Sequence, residues 1–297
     1  MNRVPPIVFD RPLHRERLRR AARAKPASFL LDRAALDLDL RLSAVSRTFG
    51  EILDSGSPGA DAEACLRARF PQARIVRAAP VEASLGRQER PALVADEEAI
   101  PFHPAAFDLV VSLLSLQWAN DLPGVLAQIR GVLKPDGLFL GCLIAGQTLT
   151  ELRSAFALAE EETTGGASPR VAPFVDVRDM GALLQRAGFA LPVSDLETIR
   201  VRYGDAFGLM RDLRAMGAAN CLVERSRRPL RRSTLMRAAQ IYGERFCDPD
   251  GRVRATFDLV WLSGWAPHES QQRPLRPGSA RMRLADALGV AEGDPQR

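Results

Sequence analysis

Lysine is almost missing from this chain. Of 41 basic side chains only Lys25 and Lys134 are lysines, so the net charge of +5 is carried by arginine. Such a bias reads first as genomic composition, with a basic surface facing an acidic protein or an anionic membrane as the functional alternative. Aromatic residues are scarce at 6%, and no basic run interleaves with them, which argues against a nucleic-acid-binding face. Histidine is scarcer still. His14, His103 and His268 stand alone, none in an H-x-D or H-x-x-E arrangement, so no iron-holding triad and no metal site is expected. The four cysteines, Cys65, Cys142, Cys221 and Cys247, include no C-x-x-C pair, the pattern of a reducing compartment without a disulfide framework or a zinc site. No stretch reaches the roughly 18 uncharged apolar residues that a membrane span needs. A signal-peptide core is lacking too, and Asp10 and Glu16 speak against reading the arginine-rich stretch from Arg15 to Arg23 as an organelle transit peptide. What remains, 297 residues with 46% hydrophobic and 26% charged, is an ordinary soluble globular composition, long enough for one elaborated domain or a core with an appendage.

The informative stretch runs from residue 95 to 146. Leu93-Val94-Ala95 reads as a short strand and Asp96-Glu97-Glu98 as an acidic loop after it, where an adenine amino group would find an acceptor. Phe107-Asp108-Leu109-Val110-Val111 is an unbroken apolar run, hence a strand buried on both faces. Ser112 to Trp118 follows at its carboxyl end, the edge on which open α/β sheets bind ligands. Asn120-Asp121-Leu122-Pro123 caps a helix running to about Val132. Lys134-Pro135-Asp136-Gly137 is a turn by its own chemistry, and Leu138 to Ile144 is the next strand.

Upstream, Pro12 suits a first helical position, and Phe29, Leu30, Ala34, Leu38 and Leu42 repeat with helical spacing. Residues 1–49 therefore read as a helical N-terminal extension, either a flap beside a ligand cleft or a simple brace. Glu51 to Ala60 is where a first strand turns into a helix. Glycines there let the backbone approach a ligand closely. Asp54, Gly56 and Gly59 stand in that loop, but Pro58 removes an N–H and Ala60 adds a Cβ, so a D-x-G-x-G-x-G pattern has become D-S-G-S-P-G-A. The second strand, Ala73 to Ala79, ends in Ala-Ala-Pro, where nucleoside-binding sheets carry a ribose-binding carboxylate. Glu82 is the nearest acid. Downstream, helices are expected over Thr148 to Glu162, Asp176 to Ala187, Asp205 to Met216 and Arg231 to Phe246, with strands over Ser194 to Tyr203 and Thr256 to Trp265. The basic loop Arg225 to Arg232 reads as solvated, with docking of an acidic partner as its alternative. The domain reading is a main body over 50–270 with a helical insertion near 205–247, and a loosely ordered tail over 271–297.

With strands near 52, 75, 93, 110, 140, 198 and 260 the chain resembles a class I methyltransferase, and the resemblance implies a Rossmann-like α/β fold over 50–270 with a seven-stranded, mostly parallel sheet that ends in an antiparallel hairpin. Beyond the fold, Phe9-Asp10-Arg11, Ala95-Asp96-Glu97-Glu98, the run from Ser112 through Gln117-Trp118 to Pro123, and Leu133-Lys134-Pro135-Asp136-Gly137 resemble the methyltransferase-like assembly factors of respiratory complex I. So do Thr148 to Arg153, Gly165 to Arg170, Met216-Gly217-Ala218-Ala219-Asn220 and Trp265 to Gln271. The resemblance covers nearly the whole chain. It implies a family grouped with S-adenosylmethionine-dependent methyltransferases and credited with hydroxylating an arginine of the complex I subunit that carries the terminal iron–sulfur cluster. By that resemblance Asp54, Gly56 and Gly59 touch the methionine end of the cofactor, Asp96 and Glu97 the adenine, and Ser112 and Leu113 the cleft floor. Gln117, Trp118, His268 and Glu269 then lie on the substrate side. The partner implied is a complex I subunit, and the location implied is bacterial cytoplasm at the inner face of the membrane.

Three functions follow as expectations: a complex I assembly factor that modifies a partner's arginine, a methyltransferase for a small molecule or carrier protein, and a chaperone that kept the fold and lost the cofactor. Pro58, Ala60 and Ala79 motivate the third. Losing charge-assisted hydrogen bonds to both ribose hydroxyls costs on the order of 2–4 kcal/mol, roughly two or three decades of affinity.

Overall fold

The computed structural model describes residues 6–23, 27–85 and 91–272. Its contacts divide into one compact unit up to Pro267 and a second from His268, of which residues 268–272 are described. The remainder of the tail expected over 271–297 lies outside the described residues.

The first unit is built on one sheet. β1 (Glu51–Ser55), β2 (Arg74–Ala79), β3 (Ala92–Val94), β4 (Phe107–Leu113), β5 (Leu133–Ala145), β6 (Ala190–Tyr203) and β7 (Val253–Trp265) lie in the order β3-β2-β1-β4-β5-β7-β6. The β1–β2, β1–β4, β2–β3 and β4–β5 pairs are parallel, while β7 runs antiparallel to both β5 and β6. The strand order reverses between β1 and β4, and the crevice at such a switch point is where these sheets take ligands.

Both sheet faces are covered. α4 (Leu122–Val132) and α6 (Val177–Arg186) pack on one side with Val110, Phe139 and Val260. α2 (Phe29–Ser43) and α3 (Asp61–Arg69) pack on the other with Ile52, Leu109 and Trp261. A third apolar cluster joins α5 (Thr150–Thr164), α7 (Ala206–Ala215) and α8 (Arg232–Phe246) above the carboxyl ends of the strands. This double covering is why β4 and β7 read as continuous apolar runs.

α1 (Arg11–Ala22) starts as the sequence predicts: the Asp10 side chain accepts from the Leu13 N–H and Pro12 sits in the first turn. The expected turn over Lys134–Gly137 lies inside β5. Asp136 adopts φ +63°, and the β4 register shifts between Phe107 and Leu109, so the turn chemistry produces an irregularity and the strand runs on. α5 begins two residues later than the pattern suggests, because Leu149 holds a left-handed φ of 56°.

Candidate functional site

β1 delivers Asp54 to its carboxyl end, 1% exposed. Directly opposite in register on β2 stands Arg77, itself only 2% exposed. Its Nε donates to Asp54 Oδ2 at 2.9 Å and its Nη2 to the carbonyl of Ser57 at 3.0 Å and to that of Gly59. A single guanidinium thus clamps the loop's acid and two of its carbonyls from below. Burial pushes the Asp54 carboxyl up to about 6, against the opposing pull of Arg77. Gly56 and Gly59 turn the loop with φ of +79° and +68°, which other residues rarely adopt. A Cβ on Gly56 would stand 2.9 Å from Ser115 Cβ and 3.0 Å from Glu97 Oε1, so glycine is also required by close approach. Pro58 and Ala60 are accommodated, since the loop is held to the sheet by the Gly56 N–H, which donates to the Ala78 carbonyl at 2.7 Å, by the Ser57 and Gly59 carbonyls, and by the Ser57 hydroxyl, which accepts from the Leu113 N–H at 2.9 Å.

The acidic loop is saturated from within. Arg11 Nη2 donates to Asp96 Oδ1 at 2.5 Å and to Glu97 Oε2 at 2.6 Å, while its Nη1 lies 3.0 Å from Glu98 Oε1. Arg15 takes the other Asp96 oxygen. Glu97 Oε1 also accepts from Ser115 Oγ at 2.8 Å. The segment leading into α1 is strapped on two sides. Asn120 Oδ1 accepts from the N–H groups of both Val8 and Phe9 at 2.8 Å, and the Asp10 N–H donates to the Cys221 carbonyl at 2.8 Å. Arg225, from the basic loop, pairs with Asp10 at 3.0 Å.

These elements enclose a cavity of about 840 Å³. Gly56, Pro58, Gly59 and Ala60 form one edge, Glu97 and Ser115 a second, and His14, Gln117 and Trp118 a third. The far wall is apolar, from Leu152 and Phe156 of α5 to Met210 and Leu213 of α7. Of the residues singled out in sequence, Gly56, Gly59, Glu97, Gln117 and Trp118 meet around this space. Asp54, Ser112 and Leu113 are buried beside it, and Asp96 is turned to Arg11 and Arg15. Glu82 is exposed, and β2 ends in the buried Ala79 without an acid. His268 and Glu269 belong to the second unit, where both are exposed and His268 Nδ1 pairs with Ser270 Oγ at 2.7 Å. Among the described residues no group of three or more His, Cys, Asp and Glu is placed to hold a metal ion.

Two residues at this site escaped the sequence reading, Arg77 and His14. A charged residue inside a doubly buried strand, one strand over from an acid, was the available sign for Arg77. His14 is 7% exposed, with its ring centroid 4.5 Å from that of Trp118. Its signal was weak, since one histidine on a basic helix reads as surface.

Residues 53–141 match the family model described as a methyltransferase domain. The human protein named arginine-hydroxylase NDUFAF5, mitochondrial, is 41% identical over 286 residues, covering 94% of this chain and 83% of its own length. The Danio rerio protein of the same name is 45% identical over 200 residues, 67% of this chain; the matched part spans 62% of that relative, less than two thirds. A malonyl-[acyl-carrier protein] O-methyltransferase of Laribacter hongkongensis is 37% identical over 263 residues, 83% of this chain and 84% of its own. Among solved structures, the YcgJ protein of Bacillus subtilis superposes with a TM-score of 0.54 at 12% identity, covering 80% of this chain and 99% of that one, a likeness of fold alone. Matched along most of both chains by the human relative, this chain belongs to the arginine-hydroxylase NDUFAF5 family, within the class I S-adenosylmethionine-dependent methyltransferase superfamily.

Proposed function

We propose that this protein supports assembly of respiratory complex I by modifying an arginine side chain of a partner subunit. One observation carries the reading. Motifs that resemble those of this family are far apart in sequence yet meet: Phe9-Asp10-Arg11 is hydrogen-bonded to Asn120 and to Asp96, and Glu97, Trp118, Met216 and Ala218 to Asn220 line one cavity. The partner is a complex I subunit. The location proposed is the bacterial cytoplasm, at the inner face of the membrane, where the net charge of +5 favours an anionic surface. No described helix is long and apolar enough to cross a membrane.

The cofactor proposed is S-adenosylmethionine, and the residues present fit most of it. A cavity of about 840 Å³ has the room. Its lining includes Gly56 and Gly59, whose left-handed turns let the backbone come close to a ligand. The ribose end, at Ala79, has no charged acceptor. In this reading Asp54, Gly56 and Gly59 hold the methionine end, and Asp96 and Glu97 the adenine. Ser112 and Leu113 support the cleft floor, Gln117 and Trp118 face the substrate, and His268 and Glu269 are assigned to the substrate side by family likeness. When bound, the cofactor supplies a sulfonium with an electrophilic methyl group. The chain's own contribution is positional. Arg77 fixes the loop, the apolar wall from α5 and α7 excludes water, and Arg11 and Arg15 set the acidic loop.

Deleting the gene tests this. Mass spectrometry of complex I subunits should find one arginine peptide lighter in the deletion strain, together with less complex I; the difference is an oxygen atom where dioxygen and a two-electron reductant act as co-reactants. A difference of one methylene would move the reaction to methyl transfer. An unchanged peptide with normal complex I overturns the reading. The second reading, a carrier-protein methyltransferase, draws on the likeness to the Laribacter hongkongensis enzyme. It requires transfer of a labelled methyl group to a carrier protein in extract.

A further inference from the structure

The third edge of the cavity carries buried polar atoms that nothing in the protein uses. His14 Nε2 is buried and without a partner, on a side chain more than nine-tenths buried that lines the cavity. Burial, with Arg11, Arg17 and Arg15 adding to it, pushes the imidazole down to about 4, so the ring is neutral at physiological pH and keeps a lone pair. Gln117 is oriented by its own amide: Nε2 donates to the Leu114 carbonyl at 2.7 Å, which leaves Oε1 free, buried and unpartnered. Between these residues in the wall stands Trp118, whose ring is tilted 32° from that of His14 and edge-on to Phe9.

Buried polar atoms without partners are rare in folded proteins, and two on one cavity edge mark a place where a ligand supplies the hydrogens. An acceptor pair beside an indole selects a flat group with several N–H donors and a positive charge. A guanidinium has all three properties. An ammonium lacks the flat fork, and a sulfonium has no hydrogen to donate. The acidic loop cannot do this work, because Arg11 and Arg15 already occupy Asp96, Glu97 and Glu98. A second guanidinium entering this cavity must find its acceptors elsewhere.

We propose that His14 and Gln117 form the acceptor pair that receives the guanidinium of the substrate arginine, with Trp118 as the plane beside it. The proposal rests on the reading that an arginine side chain is the substrate, and it assigns that substrate's binding subsite. The role is binding and orientation, with no bond made or broken by these residues.

The test uses the full-length protein and three small probes: the N-acetyl methylamides of arginine, citrulline and lysine. Side-chain nitrogen resonances of histidine are followed by NMR during titration. The arginine probe should shift the His14 imidazole signal, and the other two should bind at least about tenfold more weakly, because each leaves a buried acceptor unpaired. His14→Phe keeps the ring and removes the lone pair, and Gln117→Leu removes the amide. Each should weaken the arginine probe by about tenfold with the thermal midpoint retained. Equal binding of arginine and citrulline in the wild-type protein overturns the proposal without any variant. The two readings fail separately. If the cellular arginine depends on the gene but both variants modify it normally, the subsite is wrong and the function stands. If the probe panel behaves as expected while the deletion strain keeps its arginine unchanged, the subsite stands and the function is wrong.

Discussion

Arg77 and Asp54 are the buried charges on which the glycine loop depends. The guanidinium donates to one oxygen of the carboxylate and to the carbonyls of Ser57 and Gly59 together, so its removal leaves an acid 1% exposed without its counter-charge. Breaking a buried pair from one side costs about 3–5 kcal/mol. Arg77→Met should therefore destabilise the protein by that order, read from urea unfolding, and the cost should depend on pH. Asp54 is already pushed up to about 6 by burial; without Arg77 it rises further. An acid that holds its proton longer in the folded than in the unfolded chain loses stability as pH rises between the two values. The penalty of Arg77→Met should accordingly be larger at pH 8 than at pH 5. Equal penalties at both would mean that Asp54 titrates alike with and without its partner. Arg77 also shows what a residue string conceals. Asp54 and the acidic loop are legible, because acid and glycine types at strand ends have few other uses. The arginine that answers Asp54 lies 23 positions on, and only the parallel register of β1 on β2 brings them together.

At the scale of elements, α1 is the part of the site that sequence described least well. Its cap at Asp10 and Pro12 was legible from local chemistry, and so were the bounds of α6, α7 and α8, because caps and glycine stops act within a few residues. Where α1 goes was not legible, since Arg11 reaches Asp96 across 85 positions. The choice between flap and brace now has physical content. The lead-in is held by Asn120 on one side and by Cys221 and Leu222 on the other, with Phe9 bridged to Leu222. Asn120→Leu leaves the Val8 and Phe9 N–H groups without their acceptor, a loss of about 1–3 kcal/mol for each group that stays buried. Hydrogen exchange should then speed up by about tenfold or more across residues 8–22, while β4 and β5 keep their protection. Equal acceleration of β4 would show that α1 opens only with the whole domain, as a brace does.

For the whole molecule the question is how a cofactor fold behaves when its charged groups are satisfied internally. The seven strands and the burial of β4 on both faces were readable, because burial on both faces writes itself as unbroken apolar sequence. The cavity was not, since its walls come from α1, α5, α7 and the strand ends together. Two pairs of features set its affinity for S-adenosylmethionine in opposite directions. The room and the left-handed glycines favour binding, whereas Ala79 offers no acceptor for the ribose and Asp96 is shared with two arginines. Against an ordinary micromolar site, the missing ribose bonds shift the expected dissociation constant to about 0.1–1 mM. Calorimetric titration checks this directly. Ligand at about ten times that constant should add roughly 1.4 kcal/mol to stability, a rise of a few degrees in the thermal midpoint. Binding near 1 μM would mean that neutral groups hold the ribose as well as an acid does. No heat and no thermal shift at about 10 mM ligand would leave a partner-binding scaffold as the better account of the fold. In that event the arginine clamp across Asp96, Glu97 and Glu98 would have become the permanent occupant of the adenine end.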